Sequence, residues 1–426
     1  MQTGILTSAT DSESELLATL LREPGSHGRS LVGPLVSIVG ARRDGERIGG
    51  LLVTIAELKD VALQVDCLTG LLQGLKQGQP REFDSAQGRR GLSGLLNSSS
   101  EKLRGLALNV AGQLKVQDDP QVRDALAVVI ASALDEKRSI ASRVAALDLL
   151  AGAPYDHVLP IAEALLDVSQ PLELQLAAVA ALSSSDNPQI AATLLDDFAG
   201  YTPTVQEAVM QAVFARQNRL PKLLDALEQE IVATNVLSSI QQMQLKENSD
   251  PDVSRRAKAL FSGKDGKGEL GKVLVQYHKA LANPASATRG ELVFDDQCAK
   301  CHKLAGKGFE VGPDLSVISS KSNEMILSDI LDPSSQISVG YGNFTVISMS
   351  GKICNGALSA ETATSITLRK DQGVEDTILR KDIDEMYASS VSMMPEGLEK
   401  VVTPQDIADL ITFLREKLSS GTGEDR

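Results

Sequence analysis

The chain has 426 residues, a formal net charge of −14, 3% aromatic residues and no tryptophan. That length predicts two or more domains, and a composition rich in Leu and Ala but poor in aromatics suits stacked small helices better than a large β-sandwich core. The acidic balance argues against nucleic acid and anionic membrane as partners, and no run of 18 apolar residues is present to serve as a transmembrane segment.

The first 15 residues have no basic segment and no apolar run, so they do not read as a signal peptide. Short amphipathic helices are predicted at 14–22, 31–42 and 48–58. An eight-residue pattern then recurs. It reads Arg104-Gly-Leu-Ala-Leu-Asn-Val-Ala111, Arg143-Val-Ala-Ala-Leu-Asp-Leu-Leu150, Gln175-Leu-Ala-Ala-Val-Ala-Ala-Leu182 and Gln206-Glu-Ala-Val-Met-Gln-Ala-Val213, at spacings of 31–39 residues. Second helices are predicted between copies, at 158–168 and 190–198. One helix pair per repeat, with Ala where helices must approach closely, is the pattern of an α-solenoid, and it resembles degenerate HEAT repeats. An irregular helical domain of the same composition is the alternative. A solenoid needs a polar capping repeat, and the lack of one before Ser14 implies that upstream sequence is missing.

Residues 261–271 are rich in glycine and read as a linker. A connecting helix at 272–281 follows, stopped by Asn283-Pro284. Thr288 is placed to cap a helix carrying Leu292, Val293 and Phe294. That helix runs into Cys298-Ala-Lys-Cys301-His302, the most informative stretch of the chain. Two thiols one helical turn apart, with an imidazole directly after the second, read as c-type haem attachment. Each thiol can add to a haem vinyl group, and the adjacent His is then held to one face of the ring as an iron ligand. A zinc site would need more ligands than this stretch supplies, and Cys67 and Cys354 are distant from it. A dithiol redox pair would need a βαβ setting, which the flanks do not offer.

Beyond the pentad, a helix is predicted from Asn323 to Leu331, stopped by Asp332-Pro333. Short β-branched runs between turn residues then predict a small antiparallel insertion at about 343–386, with Cys354 a small buried apolar residue. Next comes Ser392-Met-Met-Pro-Glu-Gly-Leu398. Thr403, Pro404 and Asp406 open a last helix whose apolar stripe is Ile407, Leu410, Ile411, Leu414 and Leu418. This helix is expected to cross the one at 292–294.

From Ala285 onward the order of elements resembles that of a small class I cytochrome c. That resemblance implies that the Pro313 loop, Gly306-Lys-Gly-Phe-Glu-Val-Gly-Pro313-Asp-Leu315, offers a backbone carbonyl to the proximal His302 Nδ1–H. It implies too that the Met-Pro loop presents the distal thioether, from Met394, with Met393 as the alternative or with both filling core gaps instead. Residues 286–418 further resemble the CxxCH haem-binding C-terminal domain of planctomycetes and verrucomicrobia (PVC bacteria). The matching stretches are Gly290-Glu-Leu-Val-Phe294, the pentad, Val311-Gly-Pro-Asp-Leu315, Ile330-Leu-Asp-Pro333, Gly340-Tyr341 and the Met-Met-Pro loop. In that family HEAT-like repeats commonly precede the domain, and a dehydrogenase-like propeller lies further upstream.

The fold class expected is therefore mainly α. HEAT-like repeats span 11–260, a linker and connecting helix 261–284, and a class I-like cytochrome c domain 285–426. The expected function is single-electron transfer through one covalent haem c, with electrons accepted from a redox partner protein or an upstream dehydrogenase domain. The alternatives are a haem enzyme or small-ligand sensor with an exchangeable sixth site, and a protein-binding scaffold with accessory haem. Covalent haem attachment implies a periplasmic or otherwise exported protein, and a chain that is a fragment or mature form.

Overall fold

The computed structural model describes residues 13–22, 29–79, 81–116, 119–150, 153, 155–261, 269–337 and 340–420. The extreme N-terminus and most of the glycine-rich stretch expected as a linker lie outside the described residues. By packing, the chain divides into two units. One is Met1–Leu166 with Leu176–Ile190, and the other is Asp167–Gln175 with Ala191–Arg426. The boundary expected at 261–284 thus falls inside the second unit. No helix among the described residues is long and apolar enough to cross a membrane.

In the first unit, helices pack on their next-but-one neighbours. Helix Arg29–Arg42 lies on Val61–Gln77, Gly45–Glu57 on Ala86–Leu96, and Val61–Gln77 also on Glu101–Leu114. Asp44, Asp60 and Ser100 open three of these helices by accepting backbone N–H groups that have no partner within the helix. Close approach is bought with glycine: a Cβ on Gly74 would lie 2.0 Å from the Ser37 carbonyl oxygen. Leu35, Leu52, Leu68 and Leu71 are fully buried, each contributing ~1.5–3 kcal/mol relative to exposure. The four copies of the repeated pattern begin on helices Glu101–Leu114, Ile140–Asp148, Leu172–Ser183 and Pro203–Phe214, the last of these in the second unit, and the second copy runs two residues past its helix.

The second unit carries two apolar cores. The first gathers Phe294, Leu304, Ile326, Leu331, Ile407, Leu410 and Leu414 from helices Ala287–Val293, Asn323–Leu331 and Pro404–Ser420 and the turns between them. Helix Glu269–Ala280, expected as a connector, is part of this core. Tyr277 is buried in it, and its hydroxyl donates to the Val402 carbonyl at 2.6 Å. The helix leading to the pentad is capped by Ser286, which accepts the Arg289 N–H, and not by Thr288. Phe294 and Phe413 pack with their rings tilted by 41° and centroids 5.7 Å apart where this segment crosses the last helix. Gly290 permits the crossing, because a Cβ there would lie 2.1 Å from the Asp409 carbonyl oxygen. Asp409 itself, 1% exposed, accepts the Ser286 N–H at 2.7 Å and two Arg289 N–H bonds at 2.6 and 2.8 Å. Gly290→Val is therefore expected to destabilise this unit by about 1–3 kcal/mol, the usual cost of overpacking, read as an earlier urea midpoint. An unchanged midpoint would mean that the helices do not cross so closely.

The second core belongs to a sheet. Strands β1 (Lys303–Leu304) and β2 (Lys307–Gly308) form a small hairpin after the pentad. Strands β3 (Asn343–Ser348), β4 (Ile353–Glu361), β5 (Ser365–Arg369), β6 (Glu375–Leu379) and β7 (Ile383–Ser389) form an antiparallel sheet in the order β6-β5-β4-β3-β7. Phe344, Val346, Cys354, Ile366, Leu368 and Met386 fill its buried face together with Val168 from the helical part of the same unit. Arg380, 1% exposed, ion-pairs with Glu361 and donates to the Val168 carbonyl at 2.8 Å. Strand β4 is interrupted by a bulge between Leu358 and Ala360. Strand β7 escapes simple alternation because its register shifts opposite Ile347 and Ser348, which puts Ile383 and Met386 inward at a spacing of three.

Candidate haem site

Helix Ala287–Val293 does not run into the pentad as regular α-helix. It widens to a π turn, Phe294–Cys298, where the Ala299 N–H reaches back to the Phe294 carbonyl at 2.8 Å. Such turns are rare and recur at functional sites. The pentad then closes tightly, with the Cys301 and His302 N–H groups donating to the Cys298 carbonyl at 3.1 and 2.9 Å. The chain folds back over itself through the β1–β2 hairpin, where Ala305 and Gly306 take positive φ. As a result the Phe309 N–H bonds the Ala299 carbonyl at 3.1 Å, and the Val311 and Gly312 N–H groups bond the Cys301 carbonyl at 2.9 and 2.8 Å. The pentad and the Pro313 loop are thus one structure.

Within it, His302 Nδ1 lies 2.8 Å from the Pro313 carbonyl oxygen. This contact requires the Nδ1–H tautomer, which leaves Nε2 with its lone pair. The imidazole is packed against Gly312, where a Cβ would lie 2.5 Å from His302 Cε1. Burial lowers the His302 pKa, with the Pro313 carbonyl opposing, so the ring is neutral at physiological pH and suited to bind a metal.

Cys298 and Cys301 are both free thiols. Burial, with the neighbouring Cys301, pushes the Cys298 thiol up to about 12. Burial and then the charge of Asp371 push Cys301 up to about 11. A catalytic dithiol pair has the opposite tendency, a thiol pKa lowered towards neutrality. A structural zinc site takes four ligands, and among the described residues no group of three or more His, Cys, Asp or Glu is placed to hold a metal ion.

Met393 and Met394 are half-buried on a separate loop. Ser392 Oγ accepts the Met394 N–H at 3.1 Å, and the Ser392 N–H donates to Ser334 Oγ at 3.1 Å. Ser334 donates in turn to Glu396 at 2.6 Å. Asn235, from the helical part of the same unit, donates to the carbonyls of Ser334 and Ser390 at 2.8 and 2.9 Å. Asn235 and Ser334 therefore fix both ends of the methionine loop. Neither was a candidate from the sequence, and no local motif marks either one. Asp371 is a further addition, since its carboxylate accepts the Cys301 thiol at 3.4 Å from 70 residues away.

The arrangement suits haem c on chemical grounds. Two free thiols flank one turn, an imidazole keeps Nε2 available, and a glycine stands where any side chain would strike the ring. Comparison with known families agrees over this stretch: residues 287–352 match the family described as Cytochrome c, for which covalently bound haem c is the rule. The match includes the pentad and the Pro313 loop, and it ends before the methionine loop. The C-terminal part of this chain accordingly carries a cytochrome c domain, a haem-based electron-transfer module.

Proposed function

We propose that the chain is an exported c-type cytochrome module that passes single electrons to or from a redox partner protein, with an upstream dehydrogenase domain as the donor by family likeness. Cys298 and Cys301 tether one haem c, His302 is the proximal ligand, and Pro313 fixes the His302 tautomer. Met394 is the distal ligand, with Met393 the alternative. Bound haem supplies a one-electron couple at its iron, and His/Met ligation favours a high potential and a closed sixth position. The observation that carries this reading is the 2.8 Å contact of His302 Nδ1 with the Pro313 carbonyl, made one residue after a pair of free thiols. The helices at 11–260 serve as a HEAT-like scaffold in this reading, supported by the repeated pattern and its placement on alternate helices. The PVC-type origin rests on the sequence stretches named above.

Expression with a cytochrome c maturation system tests the proposal. A haem-staining band in a denaturing gel, with an intact mass above the polypeptide by one haem, is expected. Cys298→Ala with Cys301→Ala should return the mass to that of the bare chain. A wild-type mass equal to the bare polypeptide would end the proposal.

A further inference from the structure

The turn between β5 and β6, residues 370–373, closes on the pentad. The Gln372 N–H donates to the Lys300 carbonyl at 3.1 Å. Arg369, at the end of β5, donates to the Glu310 carbonyl at 2.7 Å. A Cβ on Gly373 would lie 3.3 Å from the Phe309 ring. Gln372 sits at φ +60°, a left-handed conformation that a non-glycine residue keeps only where surrounding contacts demand it. Together these contacts set Asp371 Oδ1 3.4 Å from the Cys301 sulfur. The two cations that precede it in sequence are engaged elsewhere, Arg369 with Glu375 at 2.9 Å and Lys370 with Asp376 at 2.6 Å. Among the described residues Asp371 itself makes no ion pair.

The geometry points to Asp371 as a residue that sets the reduction potential: its carboxylate, held at the Cys301 sulfur by the β5–β6 turn, lowers the potential of the haem that the pentad carries. This role rests on the reading of the pentad as a haem attachment site. Ferric haem carries one more positive charge than ferrous haem. A carboxylate beside its tether therefore stabilises the oxidised form. The placement survives conversion of the thiol to a thioether, because the Gln372 and Arg369 bonds go to backbone carbonyls and do not use the thiol proton. Asp371 is exposed, so its effect must weaken with salt.

Redox titration of the full-length protein matured with haem tests this. Asp371→Asn and Asp371→Ala should both shift the potential upward at low ionic strength. Asp371→Glu should stay near wild type. Asp384→Asn, which removes an exposed charge from β7 of the same sheet, should shift it far less. The gap between wild type and Asp371→Asn should narrow at about 1 M salt, where the screening length falls to about 3 Å. Equal potentials with haem on both proteins would overturn the role of Asp371 and leave the haem site standing. So would an equal shift from Asp384→Asn. Haem on wild type and Asp371→Glu but on neither neutral variant would also overturn it, by assigning the carboxylate to attachment instead. Wild type without haem would overturn the haem site and this role together.

Discussion

Met394→Ala in the haem-loaded protein is expected to abolish the weak far-red band of sulfur-ligated ferric haem, to lower the potential, and to open the reduced protein to carbon monoxide. Met393→Ala is expected to do none of these. Adjacent side chains on one loop cannot both face the same iron, and the loop here is held tightly. Ser392 fixes the Met394 N–H, while Ser334 and Asn235 fix the loop's approach. A thioether ligand raises the potential relative to an open or water-filled site, so its loss moves the potential down. The opposite pattern, with Met393→Ala active and Met394→Ala silent, would reassign the ligand to Met393. Two silent variants, with carbon monoxide binding readily to wild type, would instead favour a haem enzyme or ligand sensor. The direction also separates this effect from that of Asp371: removing Met394 lowers the potential, and removing the Asp371 charge raises it.

The pentad is legible in the sequence because its chemistry is contiguous. Two thiols and an imidazole must sit within five residues to tether one ring and offer one ligand. Helices with strong caps and apolar stripes are legible for the same local reason, and Thr403 with Asp406 is a clear case. The Thr403 N–H and hydroxyl both donate to the Asp406 carboxylate, at 2.9 and 2.6 Å. What escapes sequence reading depends on distance along the chain. Asn235 meets Ser390 across 155 residues, and Arg380 meets Val168 across 212. No period or motif near Asn235 announces either carbonyl that it satisfies. Strand β7 escapes because a bulge breaks the alternation that would reveal it. Helix Glu269–Ala280 reads as a connector because its flank is glycine-rich, yet Tyr277 ties it to the core through a hydrogen bond to Val402. Gly312 is the instructive intermediate: its presence is plain in the sequence, but only the packed His302 ring shows why a side chain is forbidden there.

Replacing residues 345–384 by a short Gly/Ser linker is expected to keep the methionine ligand on the iron while changing the protein in two other ways. The excised segment begins and ends on neighbouring strands, with Asn343 opposite Ser389 and Phe344 opposite Ala388. A short linker can therefore bridge the gap, and loop-closure cost rises only logarithmically with length. The bonds that hold the methionine loop come from Asn235 and Ser334, which the excision leaves in place. The far-red sulfur band should therefore persist. The sheet is nevertheless no detached flap. It buries Val168, and Glu361 accepts the Thr204 hydroxyl at 2.8 Å. Removing it exposes Val168 at a cost of ~1.5 kcal/mol and discards the buried Arg380–Glu361 pair, so thermal unfolding should come earlier. The potential should rise, because Asp371 leaves with the segment, and by about as much as in Asp371→Asn. Loss of the sulfur band, with circular dichroism showing the helices intact, would show instead that the sheet itself places the ligand loop. A potential unchanged by the excision would remove the electrostatic role of the turn. The two readouts come from the same sample, so each can fail while the other stands.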